Sequence, residues 1–103
     1  MIYNIELNNT YANQEFDVEV NDNNIHVLLQ TDEIGTLLMT VSLNNEQIGQ
    51  PYICFPLQYV MPYKWQEDKL GGNFYFETVN DQYPSYEDFG YTCFLFFATK
   101  EDL

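Results

Sequence analysis

Few side chains in this sequence have the type and spacing that chemistry requires. The one histidine, His26, alternates with Ile25 and Val27, so it shares an outward face with Asn24. No serine or cysteine motif lies near it, and it reads as a surface imidazole rather than a catalytic base. Ser42 and Ser85 lack the glycines of a nucleophile elbow. Gly71-Gly72 is followed by no lysine-bearing helix and so opens no phosphate loop. The run from Asp17 to Asp22 resembles the start of a calcium loop, but the sixth position is not glycine and Leu28 stands where the loop needs glutamate. Adjacent acids at Glu67-Asp68 and Glu87-Asp88 suit solvated carboxylates better than a two-carboxylate hydrolase. Cys54 and Cys93 each lie in an apolar segment, where a thiol acts as a small hydrophobe. No Cys-x-x-Cys spacing marks a zinc site, and no export signal supports a disulfide. The residues therefore predict no enzyme, no cofactor and no metal.

Two features survive this search. Glu15, Asp17 and Glu19 form an acidic stripe whose side chains repeat every ~6.6 Å along one strand face. The stripe fits an amphipathic edge strand facing water. Its spacing is also close to a run of phosphates, which fits an acidic, DNA-mimicking inhibitor of a host nucleic-acid-binding protein. The other feature is the segment 50–66, QPYICFPLQYVMPYKWQ, which contains three prolines and no acid. Part of it must fill the core. Its Tyr52, Phe55, Tyr59, Tyr63 and Trp65 are also the residue types that anchor partner contacts, with Lys64 as a rim charge.

The elements that must position these residues are strands. Tyr3, Ile5 and Leu7 share one face of 2–7, and Phe16, Val18 and Val20 share one face of 15–20. Residues 21–24, Asn-Asp-Asn-Asn, read as a hairpin turn into Ile25, Val27 and Leu29. Leu37, Met39, Val41 and Leu43 continue the alternation, and Asn44-Asn45 signals a second hairpin leading into 47–49. Prolines at 51, 56 and 62 forbid a long central strand and predict an extended aromatic connection. Phe74 and Phe76 alternate in a strand over 73–79, and 85–88 predicts a single helical turn that Gly90 ends. The last strand, 91–98, is apolar on both faces, as a central strand or one packed on another subunit would be. The predicted fold class is all-β, a small antiparallel β-sandwich or barrel of six to eight strands with at most one or two short helical turns. Val18, Val27, Leu37, Val41, Phe74, Phe76 and Leu95 are its expected core.

Composition agrees and excludes several classes. The chain has 103 residues, 46% hydrophobic and 17% aromatic, enough for one domain over 1–103 and too apolar for disorder. Sixteen acids face three lysines, Lys64, Lys69 and Lys100, for a net charge of −13. Direct nucleic-acid binding is not expected, because phosphate neutralisation needs Lys and Arg. No basic residue lies near Met1, so neither a secretory signal nor a mitochondrial presequence is expected. No apolar run approaches the ~18 residues of a membrane span. Thirteen charges on a surface of ~6,000 Å² stand ~20 Å apart, beyond the ~8 Å Debye length, so folding tolerates them.

The order of these elements resembles that of the small plug proteins of contractile-tailed phage baseplates, the cyanophage baseplate plug-like family. The resemblance rests on Gln14-x-Phe16-x-Val18-x-Val20, Ile25-x-Val27-x-Leu29 and Gly72-x-Phe74-x-Phe76. It rests above all on the Pro84-to-Gly90 loop, Pro-Ser-x-x-Asp-Phe-Gly, before the closing strand at 93–97. The chain departs from the pattern at Thr36-Leu37, where members often carry Trp, and in the proline content of 50–66. The resemblance implies a structural virion component, made in the host cytoplasm. Several copies would sit with the baseplate hub and help to plug or support the tail channel. It implies other baseplate or hub proteins as partners, a homo-oligomer within the assembly, and no catalytic residues.

Overall fold

The computed structural model describes all 103 residues. Eight strands run β1 (Ile2–Ile5), β2 (Gln14–Val20), β3 (Asn23–Thr31), β4 (Leu37–Leu43), β5 (Glu46–Gln47), β6 (Tyr52–Ile53), β7 (Gly72–Thr78) and β8 (Cys93–Thr99). One helix, α1 (Lys64–Leu70), precedes β7, and single 3₁₀ turns lie at Val79–Asp81, Tyr86–Asp88 and Lys100–Asp102. The strands form two antiparallel sheets. One has the order β1-β8-β7, and the other runs β2-β3-β4-β5 with β6 also paired to β4. Neither closes into a barrel, so the chain is the open, two-sheet alternative of the predicted fold class.

The two-residue turns set the register of the larger sheet. Val20 pairs with Asn23 and Leu43 with Glu46, leaving only Asn21-Asp22 and Asn44-Asn45 between the strands. All four have positive φ, between 49° and 72°. Short polar side chains tolerate this conformation, and its twist matches that of the flanking strands. The register then sends Ile25, Val27 and Leu29 of β3 and Leu37, Met39 and Val41 of β4 to the same side. Facing them are Phe74 and Phe76 of β7 and Cys93, Leu95 and Phe97 of β8, in one core cluster of 18 buried residues. Gly72 lets β7 and β8 approach closely, since a Cβ there would collide with the Ala98 carbonyl and the Phe97 ring.

Several expectations need correction. Val18 is only partly buried, because β2 is an edge strand whose apolar face the second sheet does not fully cover. The first and last strands are shorter than the alternation suggested, at 2–5 and 93–99, and Tyr91 is exposed in the turn before β8. The double-faced apolarity of β8 reflects its central place between β1 and β7. The connection 50–66 is not extended throughout, since it turns at Leu57, where φ is 58°. Its last three residues begin α1, which ends at Gly71 with φ of 74° and an N–H bonded to the Glu67 carbonyl at 2.9 Å.

Candidate interaction surface

The segment 50–66 straps the two sheets together. At its start β6 lies along β4, with the Cys54 N–H donating to the Leu37 carbonyl at 3.0 Å. Further on it follows the free side of β7. The Leu57 N–H donates to the Phe76 carbonyl at 2.9 Å and the Val60 N–H to the Phe74 carbonyl at 2.8 Å. The strap thus covers a sheet edge that would otherwise expose unpaired backbone. Two buried amides fix its end. Asn73 holds Met61, and Gln66 accepts the Tyr63 N–H at 3.1 Å and donates to the Tyr52 hydroxyl at 2.9 Å.

This anchoring decides which side chains face inward. Cys54, Val60 and Met61 enter the core, while Phe55, Tyr59, Tyr63 and Trp65 remain exposed. Tyr63 and Trp65 are 56% and 50% exposed, so about half of each residue's surface is left for other contacts. Tyr52, Phe55 and Tyr59 line one groove of about 360 Å³, together with Pro51, Ile53 and Pro62. Tyr63, Lys64 and Trp65 stand apart from that groove at the start of α1, all exposed. Edge-on ring contacts brace two of the groove residues, Phe55 against Tyr83 at 6.0 Å and Tyr59 against Tyr75 at 5.9 Å.

The acidic stripe also lies on the surface, along edge strand β2. It is not an unbroken anionic row. His26 pairs across the hairpin with Asp17, and its Nδ1 lies 2.8 Å from the Asp17 carboxylate. Its Nε2 lies 3.2 Å from the carboxylate of Glu15. The Asp17 hydrogen bond, with a smaller contribution from Glu15, raises the imidazole pKa above 6.5 despite some desolvation. Glu19, farther along, faces Asn24. Carboxylates along a free edge discourage strand-to-strand association there.

Residues 2–100 match the family model described as cyanophage baseplate Pam3 plug gp18. The chain belongs to this baseplate plug family. Membership makes it a viral structural protein of the phage baseplate. No match to a curated protein was found.

Other parts of the chain carry less chemical promise. Burial is the main cause that pushes both thiols up, Cys93 to about 11 and Cys54 further, and both cysteines are unpaired. At neutral pH they are inert, protonated core groups. No three His, Cys, Asp or Glu side chains converge as a metal site would require, and no helix is long and apolar enough to cross a membrane. Sequence reasoning missed two exposed apolar residues that line a hollow next to the groove, Ile34 and Tyr83. It also missed α1, although Glu67 in the first turn, Lys69 in the last and Gly71 after it are ordinary helix signals.

Proposed function

We propose that this chain is a non-enzymatic plug that folds as one domain, sits with the central hub of the tail baseplate, and helps to close or support the tail channel. The match over 2–100 to a baseplate plug family carries this reading. The contact surface is Tyr52, Phe55, Tyr59, Tyr63, Lys64 and Trp65, which touch hub proteins or neighbouring copies within a homo-oligomeric arrangement. The work is mechanical: large rings on a pinned backbone are buried against a partner, and no bond is made or broken. A pinned strap loses little freedom on binding, so more of the burial energy survives as affinity. The segment also has no acid among residues 50–66 of a chain with net charge −13, so its own side chains add nothing to the repulsion of an acidic partner surface. Three lysines are too few for direct nucleic-acid binding. The chain is made in the host cytoplasm and ends in the virion.

The test is the double variant Tyr63→Ser/Trp65→Ser. Association with purified baseplate components should weaken by at least about 2 kcal/mol, roughly 30-fold, if either ring is a hot spot. The melting temperature should change little. Loss of folding without a separable binding defect would assign both rings to the fold and overturn the contact.

A further inference from the structure

We infer that Ile34, Ile53, Phe55, Leu57, Tyr59 and Tyr83 form one docking face for a different protein, whose contact surface has an apolar centre ringed by Lys and Arg. The inference rests on the assembly reading and adds both the extent of the face and the chemistry of what covers it.

Backbone geometry presents apolar side chains outward on this face. Ile34 is 87% exposed, yet its turn is closed by four hydrogen bonds. The Asp32 carboxylate accepts the N–H groups of Ile34 and Thr36 at 3.0 and 2.8 Å. The Asp32 N–H donates to the Thr36 carbonyl at 3.0 Å, and the Gly35 N–H donates to the Asp32 carbonyl at 3.1 Å. Leu57 has φ of 58°, a region that branched L side chains rarely enter, and it is exposed as well. Such an arrangement adds nothing to the core of its own chain. It does remove the ordering cost that a partner would otherwise meet.

Ile34, Ile53, Phe55, Tyr59 and Tyr83 are also continuous, and Leu57 lies between Phe55 and Tyr59 in the chain. Ile53 and Phe55 line both the groove of about 360 Å³ and a neighbouring hollow of about 260 Å³, whose other walls include Ile34 and Tyr83. Charge then selects the partner. No acid lines either hollow, but exposed acids stand at their margins: Asp32 and Glu33 directly precede Ile34, and in β7 Glu77 lies two residues from Tyr75, whose ring packs on Tyr59. No lysine lines either hollow: Lys64 and Lys69 are on α1, and Lys100 is bonded to Asp68 at 2.6 Å. Two copies placed face to face would oppose acidic rims, whereas a rim of Lys and Arg complements them.

Photo-crosslinking in assembled virions tests this. Full-length chains carry p-benzoylphenylalanine in place of Ile34 or Tyr83, and the adducts are mapped by mass spectrometry. Both positions should attach to the same non-identical virion protein, within a patch flanked by Lys or Arg. Adding Leu57→Asp should reduce the adducts at least tenfold while the purified chain melts no lower than the parent. Adducts to another copy of this chain, adducts at acidic surfaces, or none from virions that contain the chain would overturn the inference. Absence of the unmodified chain from purified virions would overturn the assembly reading, and the docking face with it.

Discussion

Asn73 grips Met61 by both of its backbone groups. The side-chain oxygen accepts the Met61 N–H at 3.0 Å, and the side-chain N–H donates to the Met61 carbonyl at 2.8 Å. The same amide oxygen accepts the Phe74 N–H at 2.8 Å, and the amide nitrogen reaches Glu67 of α1 at 2.6 Å. A single fully buried amide on β7 therefore fixes the strap and ties down the helix that follows it. Asn73→Ala leaves at least two backbone groups without partners, each costing about 1–3 kcal/mol. Urea denaturation should show a loss of about 3 kcal/mol or more. A loss below 1 kcal/mol would mean that the strap holds itself.

Phe76 is wholly buried and stacks on Phe89 with ring centroids 6.1 Å apart. Phe76→Ala removes this contact and leaves a cavity, for an expected loss of about 3–5 kcal/mol in equilibrium denaturation. A smaller change would show that the second sheet collapses into the space.

His26 makes stability depend on pH. Its pKa in the fold is raised above 6.5, so the protonated form is favoured by folding. That contribution is complete below pH 6.5 and is lost as pH rises through the raised folded value. The pair is solvent-exposed, so the total should stay below about 1 kcal/mol. Melting temperatures measured across that window should fall in the parent chain, and the fall should be absent from His26→Asn.

The acidic stripe separates two functional readings. Reversing Glu15, Asp17 and Glu19 to Lys should leave baseplate incorporation intact, because these exposed side chains lie on β2, away from the strap. Unfolding free energy should move by about 1 kcal/mol or less. Loss of binding to a nucleic-acid-binding protein, with the aromatic substitutions silent, would instead favour the DNA mimic.

Leu57→Asn should stabilise the isolated chain. Asn enters positive φ more readily than Leu, and the strained conformation costs about 1–2 kcal/mol in ordinary residues. A gain of up to about 1 kcal/mol in urea denaturation is expected; a loss would show that the leucine packs usefully within its own chain.

Much of the larger sheet was legible because its turns are local. The first turn is two residues narrower than expected: with 21–24 as the turn, Asp17 would face Leu28, whereas the strands meet at Val20 and Asn23 and so bring Asp17 opposite His26. Val18 misled because alternation identifies a face and not how well the opposing sheet covers it. The strap was harder. Its aromatic rings and its core residues have similar hydrophobicity, and only the hydrogen bonds from β7 and Asn73 decide which turn inward. Ile34 and Tyr83 reach the same face from separate turns, a proximity that no periodicity encodes.

The pairing of β1 with β8 has a kinetic consequence. Ile2 lies beside Ala98, while β2, β3 and β4 are joined by short connections. Closing a loop of nearly the whole chain is entropically costly and must precede any gain from that pairing. The larger sheet can therefore organise first, with β1 waiting unpaired until β8 arrives. Mutations in β2–β4 should mainly slow refolding, whereas those in β1 should mainly speed unfolding.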